Sequence, residues 1–181
     1  MGLFRNKRQE EQLAESVKRG VVSFSLFGKE YSVAMELVRE VIYVRSVSPL
    51  PGAPDYFEGV INLRGTVIPV IHLGKRLQVG LSAMGNEKPF EHILIMEIDH
   101  KKVGFIVDRV ISVVVIEKDA VQPAQNLIEL PLPVIDGVFQ YKGRLIILLS
   151  LERLFTGDTL QKITEAIQYK KNMREQEKGS G

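Results

Sequence analysis

Apolar and polar residues alternate in short runs along most of the chain, which is the pattern of β-strands with one buried face. Val22, Phe24 and Leu26 alternate with serines, and a second such run follows residues Gly28-Lys29. A period of two residues places every second side chain on the same face of a strand. Gly28-Lys29 predicts a type II′ hairpin, because glycine tolerates the positive φ of the first turn position.

Residues 59–73 predict a second hairpin, in which two apolar runs flank a turn at Arg64-Gly65. Pro69 lies within the later run and indicates an edge strand or a bulge, because proline donates no ladder hydrogen bond. Three prolines between residues 49 and 54 exclude a central strand there and predict a rigid connection. A further apolar block runs from 93 to 154, and the helical spacing of apolar residues is confined to about residues 157–178.

The same β-rich pattern occurs twice. Residues 59–68 match residues 137–146, and residues 24–36 match residues 96–108 at a slightly different offset. An insertion near Asn126 accounts for the change of offset. The chain is therefore predicted to use one unit of five short strands twice, a size at which sheets close into small barrels. A plain β-sandwich with accidental internal similarity is the alternative.

This repeat predicts an all-β fold with two five-stranded barrels, the first at about residues 21–77 and the second at about 92–156. Each copy is too short to bury much surface alone, so we expect the two copies to share one hydrophobic core. Residues 1–20 form a charged N-terminal segment, and residues 157–181 form a C-terminal helix and tail.

Composition excludes several classes of function. The chain has 24 basic and 22 acidic residues and no clustered basic face of the kind that indicates nucleic-acid binding. The absence of cysteine rules out disulfides and thiolate metal sites. No run approaches the roughly 20 apolar residues of a membrane span, and residues 1–20 lack the apolar core of a signal peptide. We therefore expect a cytoplasmic protein that neither inserts into a membrane nor binds nucleic acid.

The sequence carries no motif for catalysis or for cofactor or metal binding. His72, His92 and His100 are its only histidines, and none of them forms a His-Glu-x-x-His zinc pattern. Gly80 and Gly85 have the spacing of a phosphate loop but lack the lysine and hydroxyl that hold phosphate and magnesium. The acidic residues are scattered, without an acid–base pair. The sequence thus predicts a protein that is not an enzyme and has no cofactor and no metal.

One charged position stands out from this background. Arg64 lies at a glycine turn between apolar strands, and Glu40, earlier in the same copy, is a candidate partner. A structural ion pair and an interface hot spot fit this spacing equally well, because arginine is enriched at the centres of protein interfaces. A partly buried pair serves both purposes, since the loss of one partner strands the other charge.

Several ordered elements resemble the CheW family, the chemotaxis coupling proteins. The most specific is Gly-Val-Ile-Asn-Leu-Arg-Gly at residues 59–65, preceded by a Val-x-Glu-Val element at residues 38–41. The similarity covers about residues 20–156 and comprises, in order, residues 38–41, 51–54, 59–73, 103–108 and 144–148.

The resemblance implies two SH3-like barrels and a non-catalytic adaptor. Such an adaptor couples the cytoplasmic tips of transmembrane chemoreceptors to the regulatory domain of the histidine kinase CheA, at membrane-associated receptor arrays. Glu40 and Arg64 would be the charged pair tied to partner binding, and the groove between the barrels would accept the receptor's helical tip. The family elements that shape the kinase and receptor contacts contain Val38, Gly59, Asn62 and Gly65.

His72 departs from the family pattern, in which many members carry aspartate, and it predicts a mild pH response. A length of 181 residues leaves no room for the kinase's own domains or for an added receiver domain, so we expect a freestanding coupling protein. The alternatives are coupling in a related chemosensory pathway, which controls surface motility or another output, and a barrel that binds a small ligand or nucleic acid.

Overall fold

The computed structural model describes residues 18–80, 91–123 and 134–154, together with the helical positions 165, 168 and 172. Most of the predicted N-terminal segment and most of the predicted C-terminal helix lie outside the described residues. The predicted all-β class is confirmed. The described strands are β1 (Lys18–Leu26), β2 (Lys29–Ala34), β3 (Val38–Tyr43), β4 (Phe57–Leu63), β5 (Thr66–His72), β6 (His92–Ile98), β7 (Lys101–Val107), β8 (Arg109–Glu117), β9 (Ile135–Tyr141) and β10 (Arg144–Leu149).

The strands form two five-stranded sheets, and each sheet takes strands from both halves of the chain. Sheet A has the order β8-β1-β2-β10-β9, and sheet B has the order β3-β6-β7-β5-β4. The predicted assignment of one barrel to about residues 21–77 and the other to about 92–156 is therefore wrong. A sequence repeat shows which strands are equivalent, but it does not show whether each copy pairs with itself or exchanges strands with the other.

The predicted repeat is visible in the topology. β1 to β5 correspond in order to β6 to β10, and under this correspondence both sheets have the same strand order. Each sheet contains one parallel pair that joins the two halves, β2 with β10 in sheet A and β5 with β7 in sheet B. Irregular pairing also recurs, at Arg39 in β3 and at Ile111 in β8. The two copies thus complete each other's sheets.

Each sheet curls until its two edges meet, which closes a small barrel. In sheet B, Ser48 after β3 and Val60 in β4 exchange two main-chain hydrogen bonds of 2.9 Å. In sheet A, Gln122 after β8 and Val138 in β9 exchange two of 2.8 Å. Because barrel closure pairs the edge strands, it reduces the number of unsatisfied main-chain groups that an open sheet would expose.

Glycine is required beside each closure. A Cβ at Gly59 would stand 2.1 Å from the main-chain oxygen of Ser48, and one at Gly137 would stand 2.5 Å from that of Gln122. These contacts are with main chain, so a side-chain rearrangement cannot relieve them. The Gly-Val-x-x-x-x-Gly pattern shared by the two copies therefore begins with a glycine that lets the barrel close.

Three clusters of buried apolar side chains form the core of the described residues. The largest, which we call the junction core, combines both sheets and contains the fully buried rings of Phe24 and Phe105. The others fill the barrel interiors, around Phe139 in sheet A and around Ile68 in sheet B. Burial of a large apolar side chain such as phenylalanine or isoleucine stabilises the fold by roughly 1.5–3 kcal/mol. The predicted shared core is confirmed, and it holds the two barrels together.

Four two-residue turns join consecutive strands, and in each of them both turn residues have positive φ. Positive φ at both central positions is the requirement of a type I′ turn, whose twist matches that of the flanking strands. The predicted type II′ turn at Gly28-Lys29 is wrong, because β2 already begins at Lys29. The four turns are Phe27-Gly28, Arg64-Gly65, Asp99-His100 and Lys142-Gly143.

Short helical segments follow the last strand of each copy. Helix α1 (Leu73–Leu77) follows β5, and a 3-10 turn (Leu151–Leu154) follows β10. Both segments bury leucines in the junction core. Within the predicted C-terminal helix, the described positions are helical, and Gln168 Nε2 donates to Asn172 Oδ1 at 3.2 Å.

Candidate functional site

The β4–β5 turn presents Arg64 at one end of sheet B. Arg64 and Gly65 have φ values of 51° and 85°, and the Asn62 side-chain oxygen accepts a hydrogen bond from the Gly65 amide at 2.8 Å. Asparagine side chains stabilise tight turns through such bonds to nearby main chain. The Arg64 side chain, which is 77% exposed, therefore projects from an ordered turn.

Glu40 in β3 binds the Arg64 guanidinium with both carboxylate oxygens. Arg64 Nη1 donates to Oε1 at 3.1 Å and Nη2 donates to Oε2 at 3.0 Å. β3 and the β4–β5 hairpin lie at opposite edges of sheet B, so only barrel closure brings these two residues together. The pairing predicted from the sequence is confirmed, and its two-bond geometry holds the long arginine side chain in one orientation.

Two of the six predicted site residues lie away from this pair. Gly59 is buried at the barrel closure, where its φ of 137° and its closeness to Ser48 leave no room for a side chain. Val38 begins β3 opposite Met96 and is half-buried against the junction core. The remaining four residues form what we call the charged tip, which consists of Glu40, Asn62, Arg64 and Gly65.

The sequence does not reveal the apolar side chains that the edge strands expose. Beside Glu40 in β3, Val41 and Tyr43 are exposed, Tyr43 to 76%. In β8, Val113 and Val115 are exposed to 59% and 63%. Continuous apolar runs such as residues 113–116 indicate buried strands. Here Val113 and Val115 are exposed because their strand, β8, lies at the edge of sheet A.

Val113 and Val115 continue the junction core towards the surface. Val113 lies opposite Val22, which belongs to that core, and Val115 lies opposite Gly20. The side chain of Met35 covers Gly20, where a Cβ would stand 2.9 Å from Met35 Cε. We call the apolar surface along this line the junction stripe, and it consists of Met35, Val38, Val113 and Val115.

A second ion pair lies next to Glu40. Arg39, next to Glu40, pairs with Glu97 at 3.1 Å, and this hydrogen bond and charge hold the pKa of Glu97 below its ordinary value. Across residues 18–80, 91–123 and 134–154, no three acidic or histidine side chains are grouped as metal ligands would be. No helix in the same part of the chain is long and apolar enough to cross a membrane.

A family model of the CheW-like domain matches residues 20–158. The chain belongs to the CheW family. The chemotaxis protein CheW of Treponema pallidum is 31% identical over 145 residues, which cover 79% of this chain and 85% of that protein. The solved structure of the scaffolding protein TtCheW from Thermoanaerobacter tengcongensis is 34% identical, with a TM-score of 0.68 over 76% of this chain and 92% of that one. A more distant relative, Protein PilI of Pseudomonas aeruginosa, is 29% identical over 119 residues, 65% of each protein.

Together with the β fold, these similarities show that this member of the CheW family is a chemotaxis coupling protein, a scaffold that works through other proteins. The predictions of the family and of the functional class are confirmed. The charged tip, Gly59 and the junction stripe all lie within the residues that the family model matches.

Proposed function

We propose that this protein holds the cytoplasmic tips of chemoreceptors and the regulatory domain of the histidine kinase CheA in a fixed relative geometry, without a covalent step. It does so in the cytoplasm, at membrane-associated receptor arrays. The observation that carries the proposal is the charged tip, in which Glu40 holds an exposed arginine in place. Two separate surfaces, the charged tip and the junction stripe, provide one site for each partner.

The charged tip has the properties of a contact site for the kinase domain. Arginine and tyrosine are among the residues that dominate interface energetics, and the side chain of Arg64 is 77% exposed while Tyr43, three residues after Glu40 in β3, is 76% exposed. Because Glu40 orders the guanidinium before a partner arrives, association immobilises fewer side-chain torsions. A preorganised cation beside exposed apolar side chains combines affinity with a defined orientation.

The junction stripe has the apolar character that a docking surface for the receptor's helical tip requires. Val38 belongs to sheet B, and Val113 and Val115 belong to sheet A, so a helix along this line contacts both barrels at once. An amphipathic helix buries its apolar face against such a surface through residues spaced three or four apart. Weak individual contacts suffice, because repeated contacts in an array raise the effective concentration.

Calorimetric titration with a purified CheA regulatory domain tests the kinase contact. We expect saturable binding by the wild type and binding at least about tenfold weaker by Arg64→Glu, equivalent to about 1.4 kcal/mol. The matched control is the double swap Glu40→Arg with Arg64→Glu, which keeps an ion pair but inverts its direction. Weak binding by the folded swap supports direct contact, whereas recovered binding assigns the pair a structural role. Absence of wild-type binding to the kinase and receptors of the same organism would contradict the coupling proposal.

A second substitution separates the two surfaces. Val113→Asp should weaken binding of a receptor-tip peptide or fragment while leaving kinase binding unchanged, because it places a charge in the junction stripe only. Leu145→Asp is the matched control, since Leu145 is similarly exposed in β10 but lies outside both surfaces. Equal losses for the two variants would remove the junction stripe as the receptor site.

The similarity to Protein PilI favours one other candidate, coupling in a related chemosensory pathway that controls surface motility or another output. Parallel titration against the kinase regulatory domains of each chemosensory system in the source organism decides between the pathways. The system whose kinase binds most tightly is the one this protein serves.

A further inference from the structure

Two histidines accept main-chain hydrogen bonds at the junction between the barrels. His92 Nδ1 in β6 of sheet B accepts from the amide of Val110 in β8 of sheet A at 3.2 Å. His72 Nδ1, at the end of β5, accepts from the amide of Lys75 at 3.3 Å and so caps helix α1. Both bonds require an imidazole nitrogen that carries no proton, because a protonated nitrogen can only donate.

His72 also supports a strained residue from the other barrel. Phe27, in the β1–β2 turn of sheet A, has a φ of 50°, a left-handed conformation that is unfavourable for a bulky side chain. Its ring stacks on the His72 ring with a centroid distance of 6.4 Å. The Phe27 ring fills a slot formed at Gly74 and Gly80, since a Cβ at either glycine would stand 2.1 Å from a ring carbon.

Asp108 holds the same turn through its main chain. The Asp108 carboxylate accepts from the Phe27 amide at 2.7 Å, and the Asp108 amide donates to the Ser25 oxygen at 3.1 Å. Asp108 lies between β7 of sheet B and β8 of sheet A. Strained main chain persists only where its surroundings hold it firmly. The β1–β2 turn is therefore a tightly held contact between the barrels.

The charges around His72 oppose its protonation on balance. His72 is buried beside the ion pair of Lys75 with Glu58, whose Nζ–Oε1 distance is 2.6 Å. Burial, followed by the positive charge of Lys75, lowers the pKa of His72, while Glu58 and a main-chain hydrogen bond act in the opposite direction. Arg76 in the same helix points elsewhere, over the ring of Tyr56.

Other titratable groups adjoin the second histidine. The His92 ring lies 5.0 Å from the ring of Tyr43 in β3, and Glu91 precedes His92 in the chain. Asp108 and Arg109 precede Val110, and the Asp108 oxygen accepts from the Glu91 amide at 2.9 Å. Burial raises the pKa of Asp108, an effect that the amides of the β1–β2 turn partly offset.

We propose that His72 makes the junction of the two barrels sensitive to pH, holding helix α1 against the β1–β2 turn as a neutral imidazole and loosening this contact when it becomes protonated. An imidazolium donates from both ring nitrogens, so the amide of Lys75 would lose its acceptor. A donor that is left without an acceptor is unfavourable. The proposal concerns the chain alone and does not depend on which partners it couples.

The sign of the effect follows from linkage. A histidine whose pKa is lower in the folded state stabilises the fold at high pH, and this stabilisation is lost as the pH falls from about 6.5 towards the folded-state pKa. Because the pKa of His72 is lowered, its contribution to stability decreases as the pH falls. The contribution of Asp108 changes in the opposite direction, since its raised pKa favours the folded state as the carboxyl becomes protonated. Variants must therefore be compared with the wild type over the same pH range.

The test compares the urea unfolding of full-length wild type with that of His72→Asn at about pH 7.5 and about pH 5. Asparagine places Oδ1 where histidine has Nδ1 and accepts hydrogen bonds at any pH. On acidification we expect the unfolding constant of the wild type to rise about tenfold more than that of His72→Asn. His100→Asn is the matched control, because His100 is exposed in a turn and asparagine tolerates its φ of 61°.

Native-state hydrogen exchange gives a second readout that needs no variant. Once corrected for intrinsic exchange rates, the protection of the Lys75 amide should fall between about pH 7.5 and about pH 5. The Ile95 amide inside sheet B should keep its protection. Equal pH dependence of unfolding in wild type and His72→Asn would overturn the proposal, and so would undiminished protection of the Lys75 amide at the lower pH.

Discussion

The β4–β5 and β9–β10 turns are equivalent in the repeat, yet they carry different chemistry. Their main chains agree closely, with φ values of 51° at Arg64 and 49° at Lys142. Both oxygens of Glu40 hold Arg64, whereas the ammonium of Lys142 lies 5.3 Å from the centre of the Tyr141 ring. The same turn thus holds a fixed, fork-shaped cation in one copy and a point charge over a ring in the other.

The difference originates at the strand position that faces each turn. Glu40 follows the bulge of β3, and the equivalent residue after the bulge of β8 is Ser112. The Ser112 hydroxyl lies 3.2 Å from that of Ser23. The serine side chain is too short to reach the β9–β10 turn. Duplication therefore supplies two equal scaffolds, and one side chain on a neighbouring strand decides which of them becomes a preorganised charged site.

Separation of the two copies should have the largest effect. If residues 1–80 and 91–181 are expressed as separate fragments, we expect neither to fold alone, because each sheet takes strands from both copies. Mixing the fragments should restore β structure by complementation, as measured by circular dichroism and NMR. A single fragment with its own cooperative unfolding transition would contradict the exchange of strands.

The two barrel closures should differ in their tolerance of a methyl group. We expect Gly59→Ala to lower the free energy of unfolding by about 3 kcal/mol and Gly137→Ala by about 2 kcal/mol. Gly59 has both the closer contact, 2.1 Å against 2.5 Å, and a φ of 137°. Gly143→Ala is the control and should cost about 1 kcal/mol, because its surroundings are open but its φ is 75°. Urea titration measures all three, and a smaller loss at position 59 than at 137 would contradict this ranking.

Truncation of the two tip cations sharpens the comparison between turns. Arg64→Ala and Lys142→Ala should each change the free energy of unfolding by less than about 1 kcal/mol, because exposed charge pairs contribute little to stability. Only Arg64→Ala should weaken binding of the kinase regulatory domain, by about tenfold. Calorimetric titration of both variants provides the measurement. Equal weakening would show that preorganisation by Glu40 is not what distinguishes the tips.

The smallest expected effect concerns the ion pair of Arg39 with Glu97, which the second copy lacks because Ile111 stands in place of Arg39. Because the pKa of Glu97 is lower in the folded state, this residue stabilises the fold at pH values above its pKa in the unfolded chain. The stabilisation is lost as the pH falls through the folded-state pKa. Arg39→Gln should return the Glu97 pKa towards its ordinary value and slightly flatten the acid side of the stability profile. NMR titration of the Glu97 carboxyl checks this, and an unchanged pKa would exclude Arg39 as the cause.

Local patterns predicted much of the architecture correctly. Alternation around Val22 and glycine at the turns reflect interactions between near neighbours, so they identify strands and hairpins. The sequence also indicated Glu40 as a candidate partner of Arg64, because both are charged residues among the apolar strands of the same copy. The exposure of Val113 and Tyr43 was not predictable, because the same residue types fill central and edge strands. No local signal marks the contact of the Phe27 ring with His72 either, because the two residues are distant in the sequence.

Ten short strands in two equivalent sets, membership of the CheW family and a charged turn at Arg64 could all be inferred from the amino-acid sequence. The exchange of strands between the two sets, the approach of Glu40 to Arg64 through barrel closure and the apolar stripe on the edge strands became visible only in the folded chain. The two groups of features differ in the range of the interactions that produce them. Hydrophobic alternation and turn geometry act over a few residues, whereas strand exchange and edge exposure depend on which distant segments pair, and a repeated sequence is compatible with more than one such pairing.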